Sequence, residues 1–149
     1  VCHPDTRIPD FKWQQNLRAA QHHKEKLKWL CLVGSSGKHG SAGSLPLAEK
    51  LFKNYFPGVI VVAPLPGELA PDFEDLENTR DALQKLILDC EYGPKDIVID
   101  ITGGQKTASV AAAMVTLDRP DLVFQYVGTQ EHTGDVFGFE AKTRRHEER

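Results

Sequence analysis

What this 149-residue sequence lacks narrows its class first. No stretch approaches the about 18 consecutive apolar residues of a membrane-spanning helix, and no signal peptide opens the chain. The three cysteines, Cys2, Cys31 and Cys90, are too few and too scattered for a disulfide framework. No CxxC or Cys/His spacing offers a zinc site either. Charge is nearly balanced: 18 Lys and Arg against 21 Asp and Glu leave a formal net charge of −3. No general basic field therefore draws in long nucleic acid, although a small anion held by a few local donors remains compatible with that balance. Internal repeats and low-complexity segments are absent. With 40% hydrophobic and 26% charged residues, the chain reads as one ordinary globular domain, long enough to bury a core.

Against these absences stands an alternation of strand and helix patterns. Residues 1–10 carry two prolines and no apolar period, and Phe11–Lys26 is polar and helix-permissive. Together they predict a leader, 1–26, ending in a solvated helix or tail; His22 and His23 in it lack further ligands at metal spacing. Leu27–Val33 is a continuous apolar run of buried-strand length, in which Cys31 reads as a small buried hydrophobe. A glycine–serine loop, Gly34–Ser44, follows. Ser44 as N-cap and Pro46 in the first turn predict a helix to about Phe56, with Leu47, Leu51 and Tyr55 on one face. Val59–Val62 is the second strand. The next helix runs from about Asp72 to Cys90, with Phe73, Leu76, Leu83, Leu86, Ile87 and Cys90 as its apolar stripe and Glu74, Glu77, Asp81 and Lys85 facing out.

Ile97–Ile101, Leu122–Val127 and Val136–Glu140 supply three further strands. Between the first two lies the helix Thr107–Leu117, apolar nearly all round. The polar turn Thr129–Asp135 predicts an antiparallel closing strand, and 142–149 a charged tail. The order β-α-β-α-β-α-β-β predicts an α/β fold over residues 27–141: a Rossmann-like three-layer sandwich around a mainly parallel sheet.

In open parallel sheets, ligands bind beyond the carboxyl ends of the strands. Two loops occupy such positions, Gly34–Ser44 and Thr102–Thr107, and each carries glycines, hydroxyls and a lysine and opens onto a helix N-terminus. Such ends seat phosphates through N–H groups and the helix dipole. The candidate ligand-binding residues are Gly34, Ser35, Ser36 and Gly37 in the first loop. In the second they are Thr102, Gly103, Gly104, Gln105, Lys106 and Thr107.

Neither loop fits GxxxxGK[ST], and no GxGxxG follows the first strand, which counts against an ATPase or a NAD enzyme. Asp100 is placed to cap its turn by accepting from nearby N–H groups rather than to act as a base. His39 and His132 have no carboxylate or serine paired with them by local pattern, so no catalytic residue is assigned. Glu68, Asp72, Glu74 and Asp75 read as the acidic start of a helix rather than a metal site. Neither metal nor cofactor is expected.

The segment Asp100–Ala108, DITGGQKTA, closely resembles the D-x-T-G-G-[TQ]-K-x motif of CARF domains, the CRISPR-associated Rossmann-fold sensors of type III CRISPR systems. The resemblance covers about Leu27 to Glu140 and includes the first-strand loop Gly34–Gly37. It implies a two-fold homodimer binding a cyclic oligoadenylate, most often cyclic tetraadenylate, across the dimer axis. Ser35, Ser36 and Gly37 would line the ligand from one loop, and Thr102, Gly103, Gly104, Gln105, Lys106 and Thr107 from the other. The chemistry suits such a ring: its phosphodiesters need N–H donors, hydroxyls and a cation in each half-site, and its internal symmetry matches identical loops from two copies.

Members of that family usually control an effector, and no HEPN-type Arg and His nuclease motif occurs in a suitable helix of this sequence. The effector is therefore expected outside these residues. The start at Val1 without a methionine and the basic leader suggest a cytoplasmic domain tethered to the inner membrane by a helix upstream. The alternative is a stand-alone, metal-independent ring nuclease. In it a ribose 2′-OH attacks its own phosphate, with Lys106 stabilising the charge that develops.

Overall fold

The computed structural model describes residues 14–128 and 136–140; residues 1–13, the turn 129–135 with His132, and residues 141–149 lie outside the described residues. Helices α1 (Gln14–His22), α2 (Leu45–Tyr55), α3 (Leu76–Asp89) and α4 (Lys106–Asp118) are interspersed with strands β1 (Trp29–Cys31), β2 (Ile60–Val62), β3 (Val98–Asp100), β4 (Val123–Val127) and β5 (Val136–Glu140). The chain is α/β.

Strands β1 and β2 pair in parallel with Leu30 opposite Val61, and β3 and β4 pair in parallel with Ile99 opposite Phe124. The closing strand β5 runs antiparallel to β4, as its polar turn implies, with Phe124 opposite Phe139. The expected single sheet is divided, however. Among the described residues no ladder joins β1 to β3, so the strands group as β1–β2 and β3–β4–β5.

Each group has its own core. Leu17, Ala20, Phe52, Phe56 and Val61 are buried together in the first half. Phe52 stacks on Phe56 with ring centroids 6.1 Å apart, and full burial of such a side chain is worth roughly 1.5–3 kcal/mol. Ile87, Val115 and Leu122 form the second core, with Leu83, Ile97 and Ile99 packed against it. Helix α4 can lie close because Ala111, Ala112, Val115 and Thr116 are all buried.

Helix α1 packs on both halves, which corrects the expectation of a solvated leader. Leu17 and Ala20 enter the first core, while the Ala19 carbonyl accepts from Gln125 of β4. One leucine and two alanines at spacings of two and three leave the surrounding sequence polar, so the apolar face is narrow.

The two helix starts compare differently with the sequence reading. Helix α2 starts where expected, with Ser44 at the N-cap position and Pro46 in the first turn, although Ser44 makes no side-chain cap bond and ends a short 3-10 turn, Ala42–Ser44. The buried face of α2 is Leu45, Ala48 and Phe52, and Leu47 is 60% exposed. Leu51 and Tyr55 keep the expected inward side. Helix α3 begins at Leu76, not Asp72, because Asp75 accepts from the Asn78 N–H at 3.0 Å and so caps it. No helix among the described residues is long and apolar enough to cross a membrane.

Candidate functional site

Both glycine-rich loops leave the carboxyl ends of parallel strands, β1 and β3, and the segment Pro71–Asp75 before α3 sits between them. The Ser36 N–H donates to the Pro71 carbonyl at 2.9 Å, and the Phe73 N–H donates to Ser35 Oγ at 3.2 Å. On the other side, a β-carbon on Gly104 would lie 3.5 Å from the Phe73 ring. Gln105 Nε2 donates to Glu74 Oε1 at 3.4 Å. Phe73, read from the sequence as a member of a helix stripe, is thus the spacer that brings the two loops to one edge. Its signal was ambiguous because a buried aromatic just ahead of an N-cap fits a helix period equally well.

The first loop is tightly self-bonded. Ser35 is buried, and its hydroxyl donates to the Ser36 carbonyl at 3.2 Å while accepting from Phe73. The Ser35 N–H donates to Ser41 Oγ at 3.0 Å, and the Ala42 N–H donates to the Ser35 carbonyl at 2.9 Å. Gly34 lies against the Ala42 backbone, where a β-carbon would come within 2.8 Å of its Cα. Gly37 has φ +91° and faces open space, so its glycine serves the turn itself. His39 is exposed on the same loop.

The second loop is anchored from beneath and open above. Asp100 accepts from the Thr102 N–H at 3.2 Å and from Thr102 Oγ1 at 2.9 Å, the cap expected from its position. The Thr102 hydroxyl in turn accepts from the Val127 N–H at 2.8 Å. Along the edge of β3 the Asp100 residue is exposed, but one carboxylate oxygen turns to Gln125, itself buried in β4. Burial there pushes the Asp100 pKa above the ordinary aspartate range, against the opposing pull of its Thr102 and Gln125 hydrogen bonds and of nearby His23.

Gly104, at φ +109°, lets the chain turn sharply into α4. Gln105 is the N-cap residue of α4 but makes no side-chain cap bond, and the first turn carries no acidic residue. Lys106 opens the helix exposed and enters no ion pair among the described residues. Thr107 is half-buried beside it. The N-terminus of α3 is the opposite case, capped by Asp75 and flanked by Asp72, Glu74 and Glu77. Of the two helix ends, that of α4 is electrostatically the better suited to an anion, although the Glu74 carboxylate, bonded to Gln105, lies beside its N-cap.

Two hollows lie elsewhere. One, of about 380 Å³, runs along the outer face of α2 from Pro46 to Asn54. The other, of about 240 Å³, is lined by Trp29, Ile60 and Asp89–Tyr92 at the opposite end of β1 and β2. Neither includes a residue of the two loops, in which Gly37, Lys38, His39 and residues 103–106 are exposed. Beside the second hollow, burial and, to a lesser extent, Cys90 push the Cys31 thiol up to about 12, which keeps it unreactive. No group of three or more His, Cys, Asp or Glu among the described residues could hold a metal ion.

No family model matches the chain. A protein of Aquifex aeolicus (strain VF5), described as an uncharacterized protein, is 32% identical over 137 residues, covering 88% of this chain and 41% of its own length. The chain therefore spans about two fifths of that relative.

Proposed function

We propose that this chain is a sensor domain of type III CRISPR antiviral defence. It binds a cyclic oligoadenylate, cyclic tetraadenylate foremost, between two copies related by a two-fold axis, and controls an effector lying outside these residues. In this reading the two strand groups belong to one Rossmann-like sandwich, with the binding loops side by side at its edge. Support comes chiefly from the N-terminus of α4. There an uncapped helix end, an exposed lysine and a glycine at φ +109° converge on a turn held rigidly by Asp100. That combination receives a phosphate without displacing any internal bond.

The exposure of Gly103, Gly104, Gln105 and Lys106 also suits a ligand enclosed only when a second copy adds its own half. From the first loop the Ser36 hydroxyl and the Gly37 N–H would contribute, since the Ser36 N–H already donates to Pro71, while Ser35 holds Phe73. A relative more than twice as long as the aligned segment leaves room for an effector domain in such an arrangement.

Calorimetry with cyclic tetraadenylate tests the reading. One ring bound per two chains, recovered intact by chromatography after hours, is the expected result. No binding of any cyclic oligoadenylate would overturn it. Linear products would instead turn the reading to a ring nuclease acting through 2′-OH attack.

A further inference from the structure

We propose that Gln125 is the positioning residue through which α1 and the Thr102–Thr107 turn act on one another. Gln125 sits in the middle of β4, only 4% exposed, and its side-chain amide is a junction of three hydrogen bonds. Its Nε2 donates to Asp100 Oδ2 at 3.3 Å and to the Ala19 carbonyl of α1 at 3.5 Å. Its Oε1 lies 2.6 Å from His23 Nε2, just beyond the end of α1.

These neighbours fix the orientation of the amide. Turned over, it would set its oxygen against a carboxylate and a carbonyl, neither of which can donate. Held as it is, its oxygen can only accept, so His23 must carry a proton on Nε2. From Asp100 the connection continues to the Thr102 N–H and hydroxyl, and from that hydroxyl to the Val127 N–H. Each link has one defined donor.

A second contact joins the same two elements. Asn16 of α1 leans on the turn so closely that a β-carbon on Gly103 would lie 3.1 Å from its Nδ2. A buried amide with three partners cannot rotate without leaving polar groups unpaired. Movement of α1 is therefore passed to the turn, and occupation of the turn is felt in α1. None of these contacts depends on the identity of the ligand.

Backbone amide NMR spectra of the whole chain test the coupling as a double-mutant cycle. His23→Ala is expected to shift the Thr102 and Val127 amide resonances in the wild-type background and to leave them unmoved in a Gln125→Met background. Equal shifts in both backgrounds, or none in the wild type, overturn the proposal. Should Gln125→Met fail to fold, the nitrogen shifts of the His23 ring in the wild-type chain decide. A ring protonated on Nε2 is expected, and a neutral ring protonated on Nδ1 alone overturns the hydrogen-bond order on which the coupling depends.

Discussion

The Gly34–Ser44 loop turns its polar groups inward, whereas the Thr102–Thr107 turn is held from below and leaves its upper face open. In the first, Ser35 alone joins Ser36, Ser41, Ala42 and Phe73, and glycine is required where backbone meets backbone. In the second, the internal bonds stop at Thr102, and Gly103, Gln105 and Lys106 remain exposed. Glycines and hydroxyls beside a helix therefore mean different things in the two loops. The difference lies in where each backbone and hydroxyl group finds its partner.

That contrast can be broken by substitution, and the largest effect is expected in the first loop. Gly40 lies against the carbonyl oxygens of Ser35 and Ser36, so in Gly40→Ala the β-carbon must force two backbone segments apart. A loss of about 3 kcal/mol in urea denaturation is expected. A loss below about 0.5 kcal/mol would mean the loop is looser than its bonds imply. Next comes Lys106→Ala, which should leave the urea midpoint unchanged. It should weaken cyclic tetraadenylate by the about 1.5–3 kcal/mol of a charge-assisted bond, or about 10- to 150-fold in Kd by calorimetry.

Ser35→Ala should behave in the reverse way. It strips the acceptor from the Phe73 N–H and costs about 1–2 kcal/mol of stability, with little change in Kd. Lost affinity at full stability would instead place the Ser35 hydroxyl on the ligand.

The smallest effect is a slope. Burial raises the Asp100 pKa, so the folded chain holds that proton more tightly than the unfolded one. This contribution is complete below the ordinary aspartate range and fades as pH rises through the raised value. Wild-type stability measured against Asp100→Asn should therefore decline above about pH 4. A difference that grows with pH would show the Thr102 and Gln125 hydrogen bonds outweighing burial.

Much of this was legible in the sequence because strand and helix periods carry it. The apolar runs located all five strands, the first four observed shorter than their runs and the fifth with the expected bounds, and DITGGQKTA marked the turn and its Asp100 cap. Other features depended on partners distant in the chain. The α1 face rests on Leu17, Ala19 and Ala20, whose burial depends on Phe52, Val61 and Gln125 and not on any local pattern. Leu47, expected on the inner face of α2, is exposed because that face centres on Leu45, Ala48 and Phe52, and the small Ala48 carries little weight in an apolar pattern. Gln125 gave no signal at all, since a polar residue inside an apolar strand shows its role only once Asp100 and His23 meet it.

The placement of α1 has a consequence in time. Its bond from His23 closes on a residue 102 positions later in the chain. At a synthesis rate of about 5–20 residues per second, α1 emerges roughly 5–20 s before Gln125 exists. The Phe52, Phe56 and Val61 surface is made much sooner, so the first half can gather Leu17 and Ala20 while the second is still being translated. The hydrogen-bonded junction at Gln125 is then a late event in the life of each molecule, and the binding turn acquires its support only when β4 reaches the waiting α1.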